Sequence, residues 1–460
     1  MTIDSSQRIK YILCDFFATE IAVLLFDIYR YFVQESVNHD FVTLGDYLGF
    51  KMLVLGQVFI PLMMMALYYL SGYYNKMFVK SRISELITTF KTAFFGTLIV
   101  FFVQLINDLS SDRIHDYMLF FMLFGLLFVL VYIPRVIITS RSLRRVREEK
   151  LSFPSIVIGF GYIEGLREKL AYVDGSSDAT FRIDNCRRID ESQLIDSINK
   201  LGVRNVVIFQ HPDGLEATLP VIHTLLPTDV AVYLMSPQSD MLMSRTKLSN
   251  VTGEPLIEVS CTQMPQSTLN IKRVSDIMVS VFALIVLALP MCFIALAVKL
   301  DSNGPVIYRQ KRIGFRRKPF YILKFRTMRT DAESSGTPLL STKNDSRITK
   351  VGRVLRKYRL DELPQFLNVA RGDMSIVGPR PEREYFIDQI VQRAPFYTLL
   401  HQVRPGITSW GMVKYGYATS VDQMVERLRY DLLYIENISF AVDMKIILHT
   451  AVTVISGKGL

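Results

Sequence analysis

Four long apolar runs, at roughly 11–33, 52–73, 86–106 and 117–139, occupy the first third of this 460-residue chain. A helix of about 20 residues crosses the hydrocarbon of a bilayer, so each run is long enough to span. A chain that is 50% hydrophobic, with mean hydropathy +0.25, fits that reading. The first run makes the poorest span, because Asp15, Glu20 and Asp27 must face other helices or water. Those acids, with no small-residue cleavage site behind them, also argue against a signal peptide. Lys76, Lys80 and Arg82 lie between the second and third runs, and Arg141, Arg144, Arg145, Arg147 and Lys150 come after the fourth. The other two loops carry few basic residues. The positive-inside rule therefore puts both ends of a four-helix transmembrane bundle, residues 1–145, in the cytoplasm. Four buried helices of a soluble core are the alternative, and these lengths and flanks weigh against it.

From about 153 the texture becomes α/β. "PSIVIGFGYIEG" reads as strand, glycine turn and helix start, and "NVVIFQ" and "VAVYLM" read as further buried strands. Gly159, Gly161 and Gly165 approximate a dinucleotide fingerprint with the third glycine one place late. No ribose-binding acid and no Tyr-x-x-x-Lys accompany them. Residues 150–265 are expected to form a degenerate Rossmann-like domain without catalysis of its own. The four cysteines, Cys14, Cys186, Cys261 and Cys292, are far apart, and the six histidines are scattered, so no zinc or iron site is expected.

A fifth apolar run, Ile277 to Val298, would make a helix about 33 Å long, enough to cross. Yet Lys272 and Arg273 precede it, and Lys299, Arg309, Lys311 and Arg312 lie beyond it. Positive charge on both flanks argues against crossing. Pro290 lies within the run, where it removes a helix hydrogen bond and clashes with the preceding turn. The expectation is a re-entrant hairpin over 277–298, broken at Pro290, which returns the chain to the face it left. A Pro-kinked span is the alternative, and it would place the rest of the chain on the outer side.

Charge is concentrated beyond the hairpin. Between Lys299 and Arg380 there are 19 Lys and Arg against 7 Asp and Glu, a larger excess than the +10 of the whole chain. Such a segment suits phosphorylated substrates, anionic headgroups or nucleic acid. "VGRVLRKY" has apolar residues at helical spacing, and a second helix is expected to start at Asp361, with Pro364 in its first turn. "EYFIDQIVQ", "APFYTLLHQ" and "FAVDMKIILHTAVTVI" read as further helices with one apolar face. Within this basic region "RLDELPQFLNVARGDMSIVGPRPE" sets two carboxylates, Asp361 and Glu362, side by side. A helix start and neighbouring arginines keep a carboxylate ionised, and a carboxylate can attack phosphorus to form an acyl phosphate. Attack on a diphosphate needs cations to offset repulsion: Mg²⁺ on Asp361 and Glu362, and clamps drawn from Lys324 and Arg326 in "KFRTM", Arg359 beside the pair and Arg380 in "GPRPE". Taken alone, an Asp-Glu pair is more often a cap, and "GPRP" a rigid turn.

The order and spacing of these pieces resemble the large polytopic polyprenyl-phosphate glycosyl-phosphotransferases, whose catalytic unit is a monotopic phosphoglycosyl transferase domain. The matching residues are the 277–298 hairpin, "GPVIYRQKRIG", "KFRTM", "RVLRKYRLDELPQFLNVARGDMSIVGPRPE", "VRPGITSWG" and "RYDLLYIENISFAVDMKII". The resemblance implies a mainly α-helical catalytic domain over 271–460. It makes Asp361 the nucleophile on a UDP-sugar, UDP-glucose or UDP-galactose being expected, and Glu362 its helper with Mg²⁺ and protons. Lys324 and Arg380 match phosphate-binding positions, and Arg404 and Asp431 are further matches, for which an ordinary surface ion pair is the competing reading. The acceptor would be undecaprenyl phosphate, at the cytoplasmic face of a bacterial inner membrane, with a homodimer as the expected assembly and no nucleic acid partner.

Two departures from the family pattern stand out. Leu289, not serine, precedes Pro290. After "RPGIT", Ser409, Trp410, Gly411, Met412, Val413, Lys414 and Tyr415 replace Gly-Trp-Ala-Gln-Val-Asn-Gly-Arg, in a loop expected near the sugar. Two other functions fit parts of the chain: a membrane-anchored nucleotide-sugar dehydratase, and a non-enzymatic scaffold of polysaccharide assembly that binds nucleotide or lipid.

Overall fold

The structure, a computed structural model, describes residues 3–35, 43–75, 82–107, 113–147, 153–158, 176–177, 182–183, 191–203, 205–209, 215–228, 230–235, 256–258, 264–329 and 345–456. The chain divides into two compact units, one of Met1–Ser152 with Pro265–Ile271, the other of Phe153–Met264 with Lys272–Leu460.

The first unit is built on helices α1 (Ile3–Arg30), α2 (Lys51–Leu70), α3 (Arg82–Asn107) and α4 (Arg113–Arg147). Segments of the last three, Lys51–Leu70, Glu85–Val103 and Asp116–Ser142, are long and apolar enough to cross a membrane, and the chain is a membrane protein. Two acids of α1, Asp15 and Asp27, turn away from the apolar exterior, as their cost in lipid requires. Gln57 donates to Asp27 at 2.7 Å. Asp15 takes a two-pronged bond from the fully buried Arg135, Nε to Oδ1 at 2.8 Å and Nη2 to Oδ2 at 2.7 Å. The Arg135 guanidinium also donates to Thr89 and lies 3.6 Å from the Tyr73 ring centre and 4.3 Å from that of Tyr68. Tyr74 donates to Asp15, and Tyr73 and Thr139 donate to Glu85. A buried charge survives only when paired and hydrogen-bonded, so this network fixes the rotation of all four helices at one level.

In the second unit, strands β1 (Phe153–Ile158), β2 (Ser176–Ser177), β3 (Arg182–Ile183), β4 (Asn205–Phe209), β5 (Ala231–Met235) and β6 (Leu256–Glu258) form one sheet in the order β2-β1-β4-β5-β6, with β3 also on β1. All pairings are parallel except β5–β6. Helices α5 (Glu191–Leu201) and α6 (Leu215–Leu225) supply Leu194, Ile198, Leu219 and Ile222 to its core. The glycines at 159, 161 and 165 lie outside the described residues.

The apolar run 277–298 lies within a longer, bent pair of helices. Helix α7 runs Gln266–Val286 and α8 Ala288–Asp301, bent by 63° at the break. The break falls at Leu287, three residues before Pro290. A proline's ring clashes with the carbonyl four residues earlier, here Val286, so the helix ends there and Pro290 sits in the first turn of the next one, where it is tolerated. Buried Asp276 of α7 accepts from Ser375 Oγ at 2.6 Å and from the Ile376 backbone.

Beyond the hairpin come a β7–β8 ribbon (Ile307–Ile313, Pro319–Phe325), α9 (Lys350–Lys357), α10 (Gln365–Arg371), the paired strands β9 (Ser375–Val377) and β10 (Gly406–Thr408), α11 (Glu384–Arg393), α12 (Trp410–Lys414), α13 (Val421–Glu436) and α14 (Phe440–Ile455). "APFYTLLHQ" is helical but of the tighter 3₁₀ kind, Pro395–Gln402. The expected helix start at Asp361 is corrected. Asp361 lies in a 3₁₀ turn, Leu360–Glu362, entered through Arg359 at φ 54°, and α10 begins only after Pro364. Neither carboxylate caps a helix.

The buried pair of the first unit carries a direct test. Arg135→Met leaves the Asp15 carboxylate uncompensated and is expected to cost about 3–5 kcal/mol, read as a lower thermal midpoint in detergent. Arg135→Met with Asp15→Leu should recover most of it. An unchanged midpoint in the single variant would contradict the assignment.

Candidate active site

The site starts from the alternation of β8. Ile322, Leu323 and Phe325 are buried, and Lys324, beside them, sends its ammonium toward the 3₁₀ turn. The turn is anchored by its apolar neighbours. Leu360 and Leu363 pack with Val298, Phe325 and Leu355, and with Met291, Ile294 and Ala295 of α8. The turn that carries the two carboxylates is thereby held against α8, with Asp361 8% and Glu362 5% exposed.

Glu362 is the electrostatic centre. Its Oε1 lies 3.0 Å from Lys324 Nζ and 3.7 Å from Arg380 Nη1. Its Oε2 accepts from Arg359 Nε at 3.1 Å and Nη2 at 2.8 Å. Burial pushes its carboxyl upward, but Arg359, Lys324 and Arg380 outweigh burial and hold it well below the ordinary carboxylate range. Arg359 reaches it from a left-handed conformation, costly for a residue with a side chain and characteristic of functional sites. Asp361 is the reverse case. Its carboxylate accepts no hydrogen bond among the described residues, and burial pushes its carboxyl up to about 6, with Lys324 opposing and Glu362 reinforcing. Burial lowers Lys324, and Glu362 counters this.

Arg380 arrives on the loop after β9. At Gly378 any Cβ would stand 2.3 Å from the Arg404 carbonyl oxygen, so only glycine lets the "GPRPE" and "VRPG" segments meet. Glu382 closes the loop: it takes Arg427 Nη2 at 2.7 Å and Arg312 Nη1 at 3.1 Å.

The structure thus brings Lys324, Arg359 and Arg380 together on Glu362 and separates the other candidates. Arg326 is buried at the hairpin's exit, its Nη2 donating to Ser302 O at 2.5 Å and to Val298 O at 3.3 Å. Its Nε and Nη1 are buried without a partner. Arg404 donates to Gly372 O at 3.0 Å, at the end of α10, and stacks 5.5 Å from the Phe315 ring centre. Asp431 is no surface pair: at 2% exposed it accepts the Gly411 backbone N–H at 3.1 Å and lies 4.0 Å from Arg427 Nε. It anchors the start of α12.

Sequence reasoning passed over Arg356. Its Nε donates to Thr327 Oγ1 at 2.9 Å, its Nη1 is buried without a partner, and burial lowers it while Asp361 acts in the other direction. The available signal was helical: Gly352, Leu355 and Arg356 share the inward face of α9. For a metal, no group of three or more His, Cys, Asp or Glu occurs among the described residues. Mg²⁺ is ordinarily held by one or two carboxylates together with substrate phosphates. The free carboxylate of Asp361 fits an ion held in that shared way.

A buried carboxylate with no hydrogen bond among the described residues, next to a carboxylate that gathers three cations, has the chemistry to act on an anionic phosphorus centre. The bacterial sugar transferase profile matches residues 267–457. The chain is 39% identical over 230 residues to a UDP-N-acetylgalactosamine-undecaprenyl-phosphate N-acetylgalactosaminephosphotransferase of Aeromonas hydrophila, covering 50% of this chain and 53% of the relative. It is 37% identical over 261 residues to the UDP-glucose:undecaprenyl-phosphate glucose-1-phosphate transferase of Escherichia coli (strain K12), 56% of each chain. It is 40% identical over 199 residues to the exopolysaccharide production protein PSS of Rhizobium leguminosarum bv. phaseoli, 41% of this chain and 98% of the relative. The chain belongs to the bacterial sugar transferases, the polyprenyl-phosphate glycosyl-phosphotransferases. Its match spans little more than half the length of the first two relatives.

The two carboxylates should separate in a melting experiment. Glu362→Gln strips three half-buried cations of their buried counter-charge and is expected to cost about 3 kcal/mol. Asp361→Asn removes a charge that has no hydrogen-bonded partner and should leave the midpoint unchanged or raise it. Equal destabilisation by both would contradict the division.

Proposed function

We propose that the protein transfers a hexose-1-phosphate from a UDP-sugar to undecaprenyl phosphate, giving undecaprenyl-diphospho-sugar and UMP, as the initiating step of a surface polysaccharide. The observation that carries this is the asymmetry of the dyad: Glu362 is engaged by three cations, while Asp361 accepts no hydrogen bond among the described residues. An Asp361 oxygen attacks the sugar-bearing phosphorus, the bond from that phosphorus to the bridging oxygen breaks, and UMP leaves with the electron pair. An oxygen of the lipid phosphate then attacks the same phosphorus and restores the carboxylate. Lys324, Arg359 and Arg380 offset the charge that develops on the phosphoryl oxygens, and Arg356 adds a further positive charge in the neighbourhood of Asp361. Glu362 sets these cations in place. Mg²⁺, when bound with the diphosphate at Asp361, adds further charge neutralisation there.

The architecture suits this reading. Residues 1–145 anchor the chain as a four-span bundle, 150–265 form a Rossmann-like accessory layer, and 271–460 carry the chemistry at the cytoplasmic face of the inner membrane. The 63° bend between α7 and α8, with basic residues on both flanks, supports a re-entrant hairpin over a fifth span. A re-entrant hairpin would bring a lipid-borne phosphate toward the turn that Leu360 and Leu363 pack on α8. A homodimer is the assembly we expect. A panel of UDP-glucose, UDP-galactose and their N-acetyl forms should show which hexose is carried. With the preferred donor, Asp361→Asn should lose UMP release by at least about 10³-fold, and a chelator should abolish it until Mg²⁺ is restored. Near-normal turnover by Asp361→Asn would refute the nucleophile.

A further inference from the structure

Two residues beyond the loop that departs from the family pattern, an aromatic ring lies on the cation clamp. The Tyr417 ring centre lies 5.0 Å from the guanidinium carbon of Arg380 and 5.7 Å from that of Arg359. These are the two arginines that converge on Glu362 from opposite oxygens. Tyr417 is close enough to feel the dyad: burial raises its phenol, and Glu362 adds to the rise. Among the described residues its hydroxyl has no hydrogen-bond partner, so the face of the ring, and not the phenol, makes the protein contact.

The chain is built to deliver this ring. Ser409 Oγ accepts from Met412 N at 3.0 Å and Asp431 accepts from Gly411 N at 3.1 Å, which fixes the start of α12. The helix ends as the Gly416 N–H returns to Gly411 O at 3.2 Å, with Gly416 at φ 94°, a conformation that glycine adopts without strain. Immediately afterwards Ala418 and Val421 pack into the cluster of Met424 and Leu428. Tyr417 is therefore held on both sides. Glu382, on the Arg380 loop, and Asp431, under α12, are both within reach of Arg427, so a single buried side chain ties together the two segments that meet at Tyr417.

We propose that Tyr417 is a positioning residue for the transfer reaction: its ring braces Arg359 and Arg380 in the orientation that meets the phosphoryl group. The inference rests on the proposed function. Guanidinium groups stack on aromatic faces, and the gain grows when the pair is withdrawn from water. A brace of this kind acts on the rate and hardly on ground-state binding, because the arginines remain charged and nearby without it.

The test is steady-state UMP release with the preferred UDP-sugar and undecaprenyl phosphate, on full-length protein. Tyr417→Leu should lower kcat about tenfold, leave KM for the UDP-sugar within about twofold, and leave the melting midpoint unchanged. Tyr417→Phe and Tyr417→Trp, which keep the ring, should stay within about twofold of the parent. In an Arg380→Lys background, where the planar partner is gone, Tyr417→Leu should cost less than about threefold more. If Tyr417→Leu does not fold, Tyr417→Met keeps more of the volume and serves in its place. A Leu variant as fast as the parent, a Phe variant as slow as Leu, or a full additional tenfold loss in the Arg380→Lys background each overturns the brace. A parent protein that releases no UMP overturns the functional reading and this inference with it.

Discussion

One electrostatic division of labour underlies the site: Glu362 neutralises three cations so that Asp361 can remain unengaged. Lys324, Arg359 and Arg380 would repel one another if brought together without an anion. Glu362 offsets that repulsion before substrate arrives. Asp361, one residue earlier in the same turn, then sits in a field that favours its charge, while burial disfavours it and keeps it poorly solvated. In the proposed transfer, a poorly solvated carboxylate would shed less water on attack, and the flanking cations would meet the charge that the phosphoryl group gains.

The apolar half of the same turn ties the site to an apolar helix pair. Leu360 and Leu363 pack on α8, so the dyad is fixed to the second helix of the bent pair. Asp276 of α7 grips Ser375 and Ile376, immediately ahead of the loop that carries Arg380. Both helices of the bent pair therefore touch the segment that carries the site, α8 through Leu360 and Leu363 and α7 through Ser375 and Ile376. The buried Arg135–Asp15 network applies the same rule in the first unit: a charge kept from water needs its partner built in.

Much of this was legible in the sequence where a residue's type limits its options. The apolar runs marked α2, α3 and α4, and two acids of α1 did turn to neighbouring helices, because lipid leaves an Asp no other choice. "KFRTM", the dyad and "GPRPE" come together through Lys324, Arg359 and Arg380. What was not legible depends on backbone geometry or on partners distant in sequence. An Asp before an apolar helical pattern reads as a cap, yet the left-handed Arg359 inserts a 3₁₀ turn and delays the helix to Gln365. Pro290 marked the hairpin break, but its clash acts four residues upstream, so the bend lies at Leu287. Arg326 and Asp431 read as chemistry or surface charge, and burial gives both a structural anchorage. Arg356 was lost among many basic residues, because charge pattern alone does not say which arginine faces inward.

The central claim is that Asp361 carries the phosphohexose between donor and acceptor. The most direct measurement is the intact mass of the purified protein incubated with UDP-sugar and Mg²⁺ before any undecaprenyl phosphate is added, with the modified peptide then mapped. The account predicts a gain of one phosphohexose on the peptide containing Asp361, formed together with UMP and discharged when the lipid phosphate is supplied. UMP appearing only once the lipid acceptor is present, with the protein's mass unchanged throughout, would indicate direct displacement and contradict it.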